Sequence, residues 1–218
     1  MQETFEYTEK DVANLTKALS SERLRPYMIA ARGDPWVALH LYVRNTELSE
    51  ALYGVVQGVE ILLRNATHGA LTKGLGTDMW WEVAGLRDYE QNDISNAIEK
   101  IRLRSVAVTP GRIVADLNFG FWVNLYSNFY EVNFWVKHLK TLIPARISRK
   151  RLHERLTELK MLRNRLAHHE TLIRRRVGDD YSNLLETVGW VSPTTRRWIE
   201  STNCFEERFA RRIPKRPA

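Results

Sequence analysis

The stretch from Ser148 to His169, SRKRLHERLTELKMLRNRLAHH, decides how this chain folds. Leu152, Leu156, Leu159, Leu162 and Leu166 step by four and three, which puts them in one apolar stripe along a helix. Arg149, Arg151, Arg155, Lys160 and Arg163 fall off that stripe, so the stretch reads as an amphipathic helix with a cationic face. Ser148, whose hydroxyl can accept from the free amides of a first turn, suits the N-cap. A leucine stripe of this length must be covered by other elements.

Those elements also read as helices. Leu48, Leu52, Val55, Val59, Leu62 and Leu63 recur at helical spacing and predict a long helix from Thr46 to Lys73, closed by Gly74 and Gly76. Gly33-Asp34-Pro35 predicts a stop and a restart, with Asp34 as cap and Pro35 as first residue of a helix ending near Asn45. Thr8-Glu9-Lys10-Asp11 resembles a capping box, and Ser20 or Ser21 opens the next helix with Pro26 in its first turns. A further helix is expected over 89–104, then a loop at Thr109-Pro110-Gly111. Phe119, Phe121, Trp122, Tyr126, Phe129, Tyr130, Phe134 and Trp135 follow. Interleaved aromatics can stack nucleic-acid bases, but these lie among Val, Leu and Ile without basic partners and suit a core. Their mixed spacing predicts two short helices broken near Ser127. Gly178 interrupts the later pattern, Asp179 or Asp180 restarts it, Gly189 and Pro193 mark a joint, and a short helix covers 194–200. Strand-like alternation of useful length is absent. The expectation is an all-α chain, one helical domain over 1–210 with a basic, fraying tail from Arg211 to Ala218.

Composition narrows the class. With 218 residues and 27% charged residues, the chain suits a globular core and not a disordered segment. The longest apolar-rich run, Phe119 to Trp135, is interrupted by Asn124, Asn128, Glu131 and Asn133, so no membrane span is expected. The start, Met-Gln-Glu-Thr-Phe-Glu, lacks the basic and apolar parts of a secretory signal. A single cysteine, Cys204, allows neither an internal disulfide nor a cysteine-based zinc site. These features point to the cytoplasm. The net charge is +7, and Arg146 to Arg176 alone holds eleven Lys/Arg and three Glu, a local +8. Such a block attracts a polyanion, RNA or DNA, or else forms a solvated helix face.

The chemistry that stands out is Arg163-Asn164-Arg165-Leu166-Ala167-His168-His169-Glu170. Asn164 and His168 are one turn apart on one face, and the long Arg163 side chain can swing toward it. RNA cleavage by the 2′-hydroxyl needs a proton acceptor, a proton donor for the leaving 5′-oxygen, and a cation on the phosphoryl oxygens. A histidine near pKa ~6.5 serves the first two and a guanidinium the third, with no metal or cofactor. The same residues also suit a plain helix C-terminus, where cations are favoured. A second cluster, Glu60-Ile61-Leu62-Leu63-Arg64-Asn65 with His68, sits on a helix that its apolar neighbours suggest is largely buried. Glu60 and Arg64, four apart, can pair, either as a structural ion pair or in support of Arg163 and His168. Gly-rich phosphate loops, His-Glu-x-x-His and Gly-x-Ser-x-Gly motifs are absent. Asp179-Asp180 suits a helix cap.

Arg163 to His168 matches the Arg-x4-His signature of the HEPN superfamily, and the chain more widely resembles the Abi-like (abortive infection) family. Four stretches carry this resemblance in order: Leu48 to Asn65, in its two parts Leu48 to Tyr53 and Glu60 to Asn65; Ala115 to Val123; Arg163 to Glu170; and Gly189-Trp190-Val191-Ser192-Pro193. Thr171 stands where the family often has proline. The resemblance implies a HEPN-type helical bundle with additional helices and a metal-independent endoribonuclease acting in phage defence. It implies a homodimer in which Arg163, Asn164 and His168 of two subunits meet, and restraint by an antitoxin protein or RNA. On that expectation His169, Glu60, Arg64 and Asn65 support the site. Arg149, Lys150, Arg151, Arg155, Lys160, Arg165, Arg174, Arg175 and Arg176 contact RNA. The alternatives are a non-catalytic RNA-binding module and a protein-interaction subunit of a defence complex.

Overall fold

A computed structural model describes Phe5 and residues 7–214, and every regular element among them is helical. The frame is α3 (Pro35–Leu75), 41 residues and roughly 60 Å long. Asp34 caps it by accepting from the Trp36 and Val37 amides, and Pro35 is its first residue. The two helices expected on either side of Asn45 and Thr46 are therefore one. The two polar residues that suggested a break have other work. The Thr46 hydroxyl bonds back to the Tyr42 carbonyl at 3.1 Å. Asn45 is buried, and its Oδ1 accepts the Leu172 amide at 2.7 Å. The helix ends at Leu75, where Gly76 takes φ +74° and its N–H reaches the Thr72 carbonyl. Gly74 lies inside it.

Around α3 pack α1 (Glu9–Leu19) and α2 (Ser21–Ala30) at its N-terminal end, and α6 (Phe119–Asn124), α7 (Arg149–Ala167), α8 (Val177–Val191) and α10 (Phe205–Ala210) further along. The Thr8–Asp11 capping box and the Ser20 cap form as expected. Leu24, Tyr27, Ala31, Ala38 and Leu39 make a small satellite core between α2 and the start of α3. The main core runs from Leu48 to Leu71 on α3 across to the α7 stripe. Leu152, Leu156, Leu159, Leu162 and Leu166 are all buried in it, each stabilising by roughly 1.5–3 kcal/mol.

The aromatic segment is core, as its neighbours indicated. Phe119, Phe121, Trp122, Tyr126, Tyr130 and Phe134 are buried, and Trp80 sits edge-on to Trp81, Trp122 and Phe134. Phe129 departs from this, at 56% exposed. The chain does break near Ser127, and Glu131–Leu139 continues as a π-helix. Thr109-Pro110-Gly111 is not a loop: Thr109 caps α5 (Pro110–Asp116). This short helix packs on α4 (Asp88–Leu103), the helix expected over 89–104. Helix α8 begins before Gly178, and Gly189 lies within it. The joint falls at Ser192, which caps α9 (Pro193–Thr202). The sequence showed no sign of α10, which Phe205 anchors by stacking on Tyr181 at 4.2 Å. The expected fraying tail starts tethered: Arg44 donates to the Phe209 and Arg211 carbonyls, and Arg211 meets Glu47. Residues 215–218 lie outside the described residues, as do the first four of the N-terminus. No helix among those described is long and apolar enough to cross a membrane.

Candidate active site

Helix α7 delivers the Arg163–Glu170 run to one place. Its C-terminal turn closes with the His168 amide on the Asn164 carbonyl (3.0 Å). The His169 amide then reaches Leu166 (3.1 Å) and the Glu170 amide Arg165 (2.9 Å). This double bond pattern reverses the chain and needs a left-handed residue at its corner. His169 fills that corner at φ +54°, a conformation that costs a residue with a Cβ roughly 1–2 kcal/mol. The reversal carries Thr171 and Leu172 back to α3, where Asn45 receives the Leu172 amide.

Arg163 is fixed across the bundle. Its Nε donates to Glu60 Oε1 at 2.8 Å, with the two side chains 32% and 27% exposed. Glu60 does not pair with Arg64, as its spacing suggested; Arg64 donates instead to the neighbouring Asn65 side chain at 3.3 Å. Arg64 and Asn65 make no bond to the Arg163 run. That part of α3 is also less buried than its apolar neighbours implied, since Ile61 is an exposed residue. His68 is structural: its Nδ1 accepts the Trp80 indole N–H at 3.0 Å, and burial holds its pKa below the usual value. Asn164, His168 and His169 are exposed, and their side chains form no hydrogen bond or ion pair among the described residues. Nη1 and Nη2 of Arg163 are likewise uncommitted. The last turns of α7 and its cap thus carry a guanidinium fixed to α3 together with an exposed amide and an exposed imidazole. Proton transfer and phosphoryl charge neutralisation are the chemistry such a set can perform.

The cationic face divides in two. Arg155, expected among the RNA contacts, is 5% exposed. It lies under α8, bonded to the Asn183 carbonyl and side chain and to Glu186, with Trp190 against its guanidinium. Arg149 is also structural, donating to the Tyr126 carbonyl and Asn128 and facing Glu131. Arg175 grips Asp180 with two bonds, at 2.6 and 2.8 Å, and Arg165 spans Thr171 and Glu170. Arg155 and Arg149, nearly covered, are corrected from RNA contacts to parts of the fold, while Arg165 and Arg175 are paired but stay about one-third exposed. Among the described residues Arg151 and Arg174 are exposed and unpaired, Lys160 is half-buried without a partner, and Lys150 and Arg176 have only loose pairs at 4.0 and 3.7 Å. No group of three or more His, Cys, Asp or Glu able to hold a metal ion occurs among the described residues.

A groove beside His169 was not singled out in the sequence. Arg23, Tyr42, Asn45, Thr46 and Ser49 line it with that histidine. These residues come from two helices far from α7 in the chain, and only the packing of α2, α3 and the α7 turn assembles them. No protein-family model, curated protein or solved structure matches this chain.

Proposed function

We propose that this chain is a metal-independent endoribonuclease of the HEPN type, cutting RNA by attack of the ribose 2′-hydroxyl. In the cell it would arrest growth in abortive infection, in the cytoplasm, under an antitoxin protein or RNA. The observation that carries this reading is Arg163 held by Glu60 at the same end of α7 as the exposed Asn164 and His168. Arg163 would meet the phosphoryl oxygens through Nη1 and Nη2, and His168 would move the proton. Asn164 would position the phosphate, with His169 next to it. Asn164, His168 and His169 are exposed at this helix end, with room for a wall opposite. A second copy of the chain, related by a two-fold axis, would supply that wall and a second set of the same residues. Arg151, Lys160 and Arg174 are free to draw in the backbone.

The experiment is incubation of the purified chain with labelled single-stranded RNA in EDTA. Cleavage with 2′,3′-cyclic phosphate ends is expected, with a loss of about 10²-fold or more in His168→Ala. Equal cutting by both proteins would end the assignment. A second reading, an RNA-binding module without catalysis, draws on the Glu60 bond, which offsets part of the Arg163 charge. Its mark would be salt-sensitive RNA binding with no cutting.

A further inference from the structure

The groove beside His169 is lined by side chains that each carry a polar group, with one arginine among them. Asn45 is the key to it. It is 8% exposed, and acceptance of the Leu172 amide by Oδ1 fixes which way the side-chain amide points. Its nitrogen, with two N–H donors, has no partner among the described residues and is not among the buried unpartnered atoms, so it opens onto the groove that Asn45 lines. Arg23 lies over the Tyr42 ring at 5.7 Å and has no carboxylate partner among the described residues. Tyr42 is braced edge-on by Tyr27 at 5.3 Å, a residue of the satellite core. The Ser49 and Thr46 hydroxyls complete the lining, and no acidic residue belongs to it.

We infer that this groove is a nucleotide subsite, holding the phosphate and sugar of an RNA residue next to the bond that is cut. This rests on the proposed ribonuclease reading and deepens it. Arg23 meets the phosphate in forked geometry, and Tyr42 holds its guanidinium in place. The Asn45 amide donors and the Ser49 hydroxyl face the ribose hydroxyls and base edge, the groups by which single-stranded RNA is distinguished. The placement fits. His169 belongs to the groove and His168 precedes it directly. The Arg163 side chain is pinned at Glu60, eleven residues along α3 from Ser49, or roughly 16 Å of helix. His168 lies between the two, and a strand passing it can continue into the groove. Helices α1 and α2 gain a role by this, since their small core is what positions Arg23 and braces Tyr42.

The test is fluorescence anisotropy with a labelled all-ribose RNA oligomer, each protein carrying His168→Ala so that the RNA keeps every phosphate and 2′-hydroxyl and stays uncut. Binding is measured from about 50 to 200 mM salt for this parent, Arg23→Gln and Arg23→Lys. Removing one phosphate contact should lower the slope of log K against log salt by about 0.7 in Arg23→Gln. Arg23→Lys should keep the slope, because it keeps the charge, and melting temperatures should be unchanged. An unchanged slope in Arg23→Gln, or a parent that binds no RNA, overturns the inference. The EDTA cleavage assay separates the two ideas. Cutting that is indifferent to Arg23 removes the subsite and leaves the ribonuclease. An Arg23-dependent slope without cutting removes the ribonuclease and leaves the groove as an RNA phosphate site only.

Discussion

Replacing Glu90 by alanine should destabilise the chain more than any surface change, because Glu90 is a fully buried carboxylate held by three bonds. Arg87 donates to it through Nε at 3.0 Å and Nη2 at 2.7 Å, and the Tyr130 hydroxyl donates at 2.7 Å. The Glu90 side chain is 0% exposed and that of Arg87 is 37% exposed. Arg87 can recover water when its partner goes, so its two bonds count for no more than roughly 1 kcal/mol together. The Tyr130 bond is buried and charge-assisted, about 1.5–3 kcal/mol. The space left by the side chain adds about 1 kcal/mol. The total is about 3–5 kcal/mol, or roughly 10 °C in melting temperature for a chain of this size. Urea melts of the wild type, Glu90→Ala, Tyr130→Phe and the double variant measure it, and the two sites should couple by about 1–3 kcal/mol. A Glu90→Ala protein within 1 kcal/mol of wild type, or two variants that simply add, would refute this account of the network.

The same network sets a pH dependence. Burial pushes the Glu90 carboxyl up, but the bonds from Arg87 and Tyr130 outweigh it and hold its pKa below the usual carboxylate value. Tyr130, buried beside that carboxylate, is pushed up to about 12. A depressed folded-state pKa means that the stabilisation is complete above the unfolded value, near ~4.3. It is lost as pH falls through the lower folded value. Asp93 works in the opposite sense. Burial and the Glu90 charge raise its pKa, so its ionisation costs stability as pH rises. The gap between wild type and Glu90→Gln should therefore close in acid.

Two further substitutions probe the frame of the site. Arg155→Ala should cost about 3 kcal/mol in a urea melt, since it strips a buried cation from Glu186, Asn183 and Trp190; Lys150→Ala, at an exposed position, should stay within about 0.5 kcal/mol. On α3, Gly54→Ala meets only Asn203 at an ordinary 3.7 Å and should gain up to about 1 kcal/mol of helix propensity. Gly58→Ala would bring its Cβ to 2.6 Å from the Ile199 Cδ1, the end of a buried side chain that must turn aside, so the propensity gain should be cancelled or reversed by about 1 kcal/mol, a contrast that thermal melts would read directly.

The helical class was legible because the leucine stripe and the α3 periodicity are local patterns. The single α3 helix was not, because Asn45 and Thr46 carry the usual signs of a helix end. Their partners decide otherwise, and Leu172 is 127 residues away from Asn45. Arg155 offers the reverse lesson. It is three residues after Leu152 and four before Leu159, which places it on the buried stripe. The spacing was there to be read, and the charge of the residue concealed it. Helix α10 had no local signal, since one buried phenylalanine and an Asn203 turn hold it.

The candidate site shows what a charge count can and cannot give. The stretch from Arg146 to Arg176 carries a net +8 in the sequence. In the fold five carboxylates from outside it, Glu60, Glu131, Asp179, Asp180 and Glu186, pair with its arginines, and the local net falls to +3. Most of the cationic block therefore serves the packing of α7 and α8, and only a few charges are left to meet a polyanion. Binding through so few phosphates gives a weak, shallow salt dependence. Discrimination must then come from groups with fixed geometry. Arg163 pinned by Glu60 and Asn45 pinned by Leu172 are two such groups, at either end of the His168–His169 turn, and no local pattern could have paired either of them.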